Sequence, residues 1–212
     1  MFNVCPTCGL YDAAKIIDPG GPFAICPHCG HAHRFVRLPL AVVSGPSGAG
    51  KSTVCLALAA TLDACICLET DILWGALPAT PEDNYRSYHE AWLRLAKNIA
   101  QAGRPVALFG SATPAQIEAC DERRYFSAVR YLALVCDDDE ALRERLRARP
   151  AWRNASDSEW IEQMVAFNRW FKTHAAARAP TITLLATDAQ SPAETIAQVA
   201  QWLRAEAFAP EP

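Results

Sequence analysis

The sequence predicts an α/β fold: a five-stranded parallel sheet covered by helices on both faces, preceded by a small N-terminal metal-binding ribbon. Three observations support this prediction: two Cys-x-x-Cys pairs near the N-terminus, a glycine-rich loop directly after an apolar run, and five apolar runs that alternate with helical patterns. Continuous apolar runs are typical of strands that are buried on both faces, and their alternation with helices favours parallel pairing.

Length and composition limit the possible functions. The 212-residue chain has room for one large domain and a small appendage, and we expect a small ribbon over residues 1–38, the large domain over 39–207 and a frayed tail over 208–212. The formal net charge of −3 does not imply a surface for polyanions. The sequence has no apolar run as long as a membrane span, and its first residues show no basic segment followed by a long apolar stretch. We therefore expect a soluble, cytoplasmic protein without a membrane partner.

Four of the nine cysteines are spaced like zinc ligands. Cys5 and Cys8 form one pair, Cys26 and Cys29 form the other, and 17 residues separate the pairs. In this spacing each turn presents two thiolates to one side of a tetrahedral ion. Disulfides are the alternative, which a reducing compartment disfavours. Three nearby histidines are expected at the surface: His28, His31 and His33.

The role of the ribbon is open at this stage. Up to residue 38 it carries three basic and two acidic residues, a net charge of +1, which by itself does not argue for nucleic acid. Packing against the rest of the chain or dimerisation is at least as well supported.

The glycine-rich loop, residues 45–52, reads Gly-Pro-Ser-Gly-Ala-Gly-Lys-Ser and fits the phosphate-loop pattern GxxxxGK[ST]. An apolar run precedes it and a helix-forming run follows it, which is the context that this motif requires. In such a loop the backbone N–H groups and the helix N-terminus bind phosphate oxygens. Lys51 would bind the β and γ phosphates, and the Ser52 hydroxyl would ligate Mg²⁺. We therefore predict that ATP or GTP binds to Gly45, Ser47, Gly48, Ala49, Gly50, Lys51, Ser52 and Thr53.

The remaining elements follow in alternation. Strands are predicted at residues 40–44, 64–68, 105–109, 129–136 and 181–186. Between and after them, apolar residues recur at helical spacing over residues 88–99, 156–177 and 196–203. Because ligands of open parallel sheets bind outside the carboxyl ends of the strands, the residues that follow each strand are the candidates for chemistry.

Two carboxylates follow the second strand. Asp71 is the first candidate to accept the proton of an attacking hydroxyl or to hold Mg²⁺ through water, and Glu69 is the second candidate for the same role. Alternatively, Thr70 or Asp71 caps the next helix.

The third predicted strand ends without an acidic residue. Phe109 and Gly110 stand where a Walker-B acid is expected. This absence disfavours a GTPase switch or a motor-type ATPase and is compatible with a small kinase. Gly110 would allow close approach of an acceptor. Ser111 and Thr113 are candidates either to contact that acceptor or to cap the next helix.

Residues 142–153 are rich in arginine. Pro150 interrupts the helical pattern, and Arg149 and Arg153 flank the break, where a mobile lid turns over a nucleotide in some enzymes. Guanidinium groups there would neutralise a transferring phosphoryl group. The alternative is an arginine-rich surface helix paired with Glu140 and Glu144, an alternative that applies most to Arg143 and Arg145.

On these motifs, residues 40–203 resemble the P-loop nucleoside and nucleotide kinases, within the broader group of small-molecule kinases. The resemblance implies a three-layer P-loop fold, ATP as the donor and an arginine-rich lid near residues 143–155. It also implies that Arg147, Arg149 and Arg153 clamp the donor phosphates and that Thr187 and Asp188 wrap the adenine. The N-terminal ribbon departs from the family pattern, so the acceptor stays undefined.

We accordingly expect an enzyme that moves the γ-phosphoryl group of ATP to a small acceptor, a nucleoside or nucleotide. Tyr85, Tyr88, His89 and Trp92 fall where acceptor pockets form, although aromatic residues at helical spacing are also typical of a core. One alternative is a kinase for nucleic-acid ends that uses the ribbon to dock. Another is a nucleotide-dependent regulatory protein with the ribbon as its interaction surface. An oligomer is compatible with the sequence.

Overall fold

The computed structural model describes residues 3–12, 14–150, 157–176 and 180–208. It contains a three-stranded antiparallel sheet near the N-terminus and a five-stranded parallel sheet in the remainder of the chain. The α/β class expected from the sequence is therefore confirmed.

The N-terminal ribbon is built on three short strands, β1 (Ile16–Ile17), β2 (Phe23–Ile25) and β3 (Ala32–Arg34). Each Cys-x-x-Cys pair forms a turn. The N–H of Gly9 donates to the carbonyl oxygen of Cys5 at 2.9 Å, and the N–H of Gly30 donates to the carbonyl oxygen of Cys26 at 3.0 Å. Both glycines adopt left-handed backbone angles, φ 74° and 73°, which favour a residue without a β-carbon. The two turns therefore have matching geometry.

All five strands of the parallel sheet were predicted, with ends that differ by at most two residues. They are β4 (Leu40–Ser44), β5 (Ile66–Glu69), β6 (Val106–Phe109), β7 (Val129–Val135) and β8 (Ile182–Ala186). Their spatial order is β5-β6-β4-β7-β8. The chain moves to one side of β4 for β5 and β6 and to the other side for β7 and β8. The carboxyl end of β4 is therefore the point where the connections diverge, the usual place for a ligand.

Helices cover both faces of this sheet. They are α1 (Lys51–Thr61), α2 (Arg86–Ala100), α3 (Pro114–Glu118), α4 (Asp139–Arg147), α5 (Ser158–His174) and α6 (Pro192–Trp202), which a π-helical segment continues at Leu203–Ala207. Trp92 of α2 and Phe171 of α5 belong to the core on one face, whereas Leu58 of α1 and Trp202 of α6 belong to the core on the other. This is the predicted three-layer arrangement.

The ribbon packs on α2 and on a 3₁₀ turn at Asp121–Tyr125. Phe35 of the ribbon meets Tyr125 edge-on, with ring centroids 5.9 Å apart, and both rings are buried. The side chain of Gln101, at the end of α2, accepts a hydrogen bond from the Val36 N–H at 2.9 Å and donates to the Val36 carbonyl at 3.2 Å. Of the roles left open by the sequence, packing against the rest of the chain is the one observed.

The described part of the chain contains no helix that is both long and apolar enough to cross a membrane. Phe208, the first residue of the predicted frayed tail, packs partly buried against the core beneath α1 and α6. The other residues of that tail, 209–212, lie outside the described residues.

Candidate functional site

The phosphate loop leaves β4 and enters α1. Gly45 has φ 133°, and a β-carbon there would lie 2.1 Å from the carbonyl oxygen of Leu134, so only glycine fits. Gly50, at φ 94°, lies directly before α1, which begins at Lys51 without a side-chain cap. The first N–H groups of α1 and the positive end of its dipole therefore face the loop, which is the arrangement that binds phosphate.

Lys51 reaches back over its own loop. Its ammonium group donates to the carbonyl oxygens of Gly45 and Pro46, at 2.7 and 2.8 Å. Burial lowers the pKa of Lys51 to about 8; the charge of Asp71 raises this pKa and that of Arg149 lowers it. Asp71 and Arg149 are thus electrostatic neighbours of Lys51, and all three are among the predicted catalytic residues.

A carboxylate lies beside the serine of the phosphate loop. The Ser52 hydroxyl donates to the carboxylate of Glu69, the last residue of β5. Glu69 is in register with Phe109 of β6, the residue that stands where an acid is usual. Glu69, which was the second candidate for the proton-accepting or magnesium-binding role, therefore contacts Ser52 from β5, the strand beside β6.

Asp71 lies in an exposed 3₁₀ turn, Thr70–Leu73, directly after β5. This turn has no side-chain cap, so the capping role considered for Thr70 and Asp71 is not observed. The Tyr88 hydroxyl of α2 donates to the Thr70 carbonyl, which ties the turn to the helix.

The end of β6 supports the same turn. A β-carbon on Gly110 would lie 1.9 Å from the Thr70 hydroxyl, so this glycine permits two strand ends to meet. The interpretation that Gly110 makes room for an acceptor was wrong, because the side chain of Thr70 fills that space. Ser111 donates to the Gly45 carbonyl at 3.2 Å. Thr113 forms a reciprocal cap with Gln116 at the start of α3, as the capping alternative predicted.

A cavity of about 250 Å³ opens on the other side of the loop, beside α1, α4 and α6. Its lining includes five residues predicted to bind the nucleotide: Gly48, Ala49, Gly50, Thr53 and Thr187. Its lining also includes residues that were not predicted, chiefly Arg145 and Gln190.

The surface-helix alternative applied most to Arg143 and Arg145, but Arg145 does not follow it. Its guanidinium donates to the hydroxyl and the carbonyl of Thr187, at 3.0 and 2.8 Å. The cause is the packing of α4: a β-carbon at Gly48 would lie 3.2 Å from side-chain carbons of Leu142 and Leu146, so α4 rests on the phosphate loop. That contact turns Arg145 towards the cavity.

The other arginines of this region divide into two groups. Arg143 pairs with Glu140 and Glu162, and Arg147, with 56% of its side chain exposed, pairs with Glu140 at 2.9 Å. The surface-helix alternative therefore describes the contacts of these two arginines. The described contacts do not bring Arg147 to the phosphate loop, and its clamping of the donor phosphates stays a prediction. Arg149 lies over the Trp160 ring at 5.9 Å. Arg153 lies outside the described residues.

Asp188 links two loops instead of facing the cavity. Its carboxylate accepts hydrogen bonds from the N–H groups of Asp137 and Asp138, at 3.1 and 2.8 Å. Burial raises the pKa of Asp188, but these N–H donors and nearby Arg145 bring it below its usual range. Thr187 is thus the residue of the predicted adenine loop that reaches the cavity.

Aromatic residues gather after β5, and Trp74, which was not singled out in the sequence, lies among them. Its ring lies 6.0 Å from that of Tyr85 and 5.4 Å from that of Tyr88. Trp74 is 59% exposed, whereas Tyr88, His89 and Trp92 are buried in the core, as their helical spacing allowed. Burial lowers the pKa of His89 to about 4, so it is neutral near pH 7.

The four patterned cysteines of the ribbon form one cluster. Their sulfur atoms lie within 4.8 Å of one another, with Cys5 3.6 Å from Cys29 and Cys8 3.8 Å from Cys26. A tetrahedral ion with Zn–S bonds of about 2.3 Å separates its sulfurs by about 3.8 Å, so the cluster fits zinc.

The thiol of Cys5 lies among several hydrogen-bonding groups of this cluster. Burial raises its pKa, but the N–H groups of Cys8 and Thr7 and the side chains of Cys29 and His33 lower it to about 5. His33, expected at the surface, is partly buried beside the cluster.

Comparison with known proteins agrees with this geometry. A family model described as "AAA domain" matches residues 40–174, well over half of the chain. No curated protein matches the sequence.

Two solved structures have a similar fold. An unliganded sugar kinase from Janibacter sp. HTCC2649 superposes with a TM-score of 0.57 at 19% identity, covering 80% of this chain and 96% of the other. A gluconokinase from Sinorhizobium meliloti 1021 superposes with a TM-score of 0.50 at 18% identity, covering 79% and 97%. The chain therefore belongs to the AAA domain family, and its fold is that of the P-loop kinases.

Proposed function

We propose that the protein is an ATP-dependent phosphotransferase that moves the γ-phosphoryl group to a small acceptor. One observation carries this proposal: Lys51, Asp71 and Glu69 gather at one end of the phosphate loop, while the 250 Å³ cavity opens on its other side. Such an arrangement lets a nucleotide lie along the loop with its last phosphate beside the carboxylates.

In this proposal the adenine of ATP lies on the cavity side of the phosphate loop. The cavity next to Arg145 takes the adenine, because a guanidinium held by Thr187 offers a flat cationic face to an aromatic ring. The loop N–H groups and Lys51 bind the phosphates. Ser52 and Glu69 would hold Mg²⁺, which neutralises phosphate charge and orients the transferring group.

Phosphoryl transfer needs a base and positive charge at the reacting end. Asp71, whose carboxylate is exposed to an incoming molecule, would accept the proton of the acceptor hydroxyl, since Glu69 is already engaged with Ser52. Lys51 and Arg149 would stabilise the charge on the transferring phosphoryl group. Arg153, outside the described residues, would add a further positive charge in the predicted lid.

The ribbon has a structural role in this proposal. Four thiolates would bind one zinc ion and fold the ribbon, which packs on α2. This packing favours a structural module over a docking site for nucleic acid. A cysteine-based zinc site and a nucleotide donor are both consistent with the cytoplasm.

Labelled ATP tests the proposal when it is incubated with Mg²⁺ and a panel of nucleosides, nucleotides, sugars, antibiotics and 5′-hydroxyl oligonucleotides. We expect transfer to at least one small hydroxyl compound, and a 10²- to 10⁴-fold lower kcat for Asp71→Asn with ATP binding retained. Asp63→Asn, which changes an exposed aspartate in another loop, is the matched control. A wild-type protein that binds ATP but transfers nothing would refute the proposal.

A further inference from the structure

In the proposed arrangement the acceptor approaches the γ-phosphate of ATP from the side of β5 and β6. The cavity beside α1, α4 and α6 belongs to the donor base in our proposal, so the γ-phosphate points to the ends of β5 and β6. The residues available to an acceptor there are those of the turn that carries Asp71, the segment after it, and the N-terminal part of α2.

Trp74 presents a large aromatic surface on this side. The turn that carries Asp71 closes with a hydrogen bond of 3.0 Å from the Trp74 N–H to the Asp71 carbonyl, which fixes the two residues relative to each other. Tyr85 lies beside the Trp74 ring at a tilt of 34°, and Tyr88 meets it edge-on. The indole is thus supported by two rings, while 59% of the residue stays open to solvent.

The loop that supports this surface is held in an unusual conformation. Asn84 and Tyr85 both have left-handed backbone angles, φ 54° and 60°, which cost free energy in residues with a β-carbon. The Asp83 carboxylate accepts hydrogen bonds from the Ser87 N–H and hydroxyl, at 3.0 and 2.6 Å. The Gln116 amide donates to the Asn84 side chain at 3.1 Å. These contacts position Tyr85 against Trp74.

The charges on the acceptor side are almost all negative. Residues 70–89 contain three acidic residues, Asp71, Glu82 and Asp83, and one basic residue, Arg86. Residues 109–118 contain no lysine or arginine. Arg86 is itself paired, with Asp121 at 3.1 Å. In the described part of the chain the cations near the loop are Lys51 and Arg149, and both serve the donor phosphates in our proposal, as does Arg153 of the predicted lid. A phosphate or carboxylate on the acceptor would therefore meet carboxylates, and the described residues on this side offer it no counter-charge of their own.

We infer that the acceptor is a neutral or cationic cyclic hydroxyl compound whose ring lies on Trp74, and that its phosphorylated or carboxylated counterparts are excluded. This inference rests on the proposed function and selects nucleosides, neutral sugars and amino sugars over nucleotides and sugar acids. The acceptor hydroxyl oxygen bonds to the γ-phosphorus while the bond from that phosphorus to the β–γ bridging oxygen breaks. The hydroxyl proton passes to Asp71 and ADP leaves.

The test compares matched acceptors that differ in one anionic group, with labelled ATP and Mg²⁺. The pairs are a nucleoside with its 5′-monophosphate and a neutral sugar with its sugar acid, and an amino sugar is assayed alongside. We expect kcat/KM for the neutral or cationic compound to exceed that of its anionic counterpart at least tenfold. We expect Trp74→Ala to raise the KM of that acceptor about tenfold, because the aromatic ring on which the acceptor stacks is removed.

Controls separate stacking from folding. Trp74→Phe keeps an aromatic ring and should restore most of the affinity, and the KM for ATP should not change in either variant. Leu56→Ala removes an exposed apolar side chain from α1, 67% exposed, and should leave both KM values unchanged.

Preference for the anionic compound overturns this inference and leaves the phosphotransferase intact. An unchanged acceptor KM in Trp74→Ala overturns the stacking role. No transfer to any compound, with ATP bound, overturns the inference together with the proposed function.

Discussion

The ammonium group of Lys97 lies 2.6 Å from a carboxylate oxygen of Glu122, and both side chains are buried, with 1% and 0% exposed. The same ammonium donates to the side chain of Asn3 at 2.6 Å, and Arg94 binds the other oxygen of Glu122 at 2.8 Å. One ion pair thus joins the ribbon, α2 and the turn at Asp121–Tyr125. Helix α2 also carries Tyr88, whose hydroxyl donates to the turn that contains Asp71. The ribbon is therefore connected through α2 to the candidate acceptor side.

Removing one partner of this buried pair should destabilise the protein strongly. Glu122→Gln leaves the Lys97 charge buried without a counter-charge, which costs about 3–5 kcal/mol. We expect urea unfolding to show a loss of that size, and a smaller loss for the double variant with Lys97→Met. Asp121→Asn, in an exposed ion pair, should cost about 1 kcal/mol or less. Equal losses for Glu122→Gln and Asp121→Asn would show that the buried pair does not hold the ribbon.

The ribbon should depend on a metal ion. Metal analysis of the purified protein should find one zinc per chain, and Cys8→Ser should bind it much more weakly, because three thiolates no longer complete the tetrahedron. Thr7→Ala changes an exposed residue of the same turn and should retain the zinc. Full zinc content in Cys8→Ser would contradict the four-thiolate site.

The affinity for Mg²⁺–ATP should fall as the pH rises. The pKa of Lys51 is lowered to about 8, so the side chain is charged at pH 7 and largely neutral at pH 9. Phosphate binds the charged form, so calorimetric titrations should show weaker binding above pH 8 than at pH 7. Lys51→Arg keeps its charge throughout this range and should lose most of the dependence. The same pH profile in both proteins would argue against a lysine contact with phosphate.

Arg145 should matter for ATP, although the surface-helix alternative applied to it more than to most arginines of this region. Arg145→Ala removes a cation–π contact worth about 0.5–2 kcal/mol, so we expect the KM for ATP to rise up to about thirtyfold with little change in acceptor KM. Arg143→Ala, which breaks ion pairs with Glu140 and Glu162, is the matched control. If both variants raise the KM for ATP equally, the base does not lie against Arg145.

The sequence predicted the strands well because each is rich in apolar residues and is followed by a clear break, and β4 was predicted with its observed ends. It could not tell which arginine of α4 enters the site. Helical spacing identifies the buried face of Leu142 and Leu146, but only the contact of that face with Gly48 determines that Arg145 turns to the cavity and Arg147 to Glu140.

Two further features of the candidate site depend on tertiary structure: the contact of Glu69 with Ser52 and the exposure of Trp74. Glu69 reaches Ser52 because β5 lies beside β6 at the sheet edge, an adjacency that the chain order does not specify. Trp74 belongs to no periodic pattern, since it follows a single 3₁₀ turn. Its exposure depends on the packing of Tyr85 and Tyr88 beneath it.

The most direct test of the account is a calorimetric titration of a non-hydrolysable ATP analogue with Mg²⁺ into the wild-type protein and into Lys51→Glu. The account predicts one binding site per wild-type chain and at least a hundredfold weaker binding when the ammonium is replaced by a carboxylate that repels the phosphates. No heat of binding in the folded wild-type protein, or equal affinity in the two proteins, would contradict it.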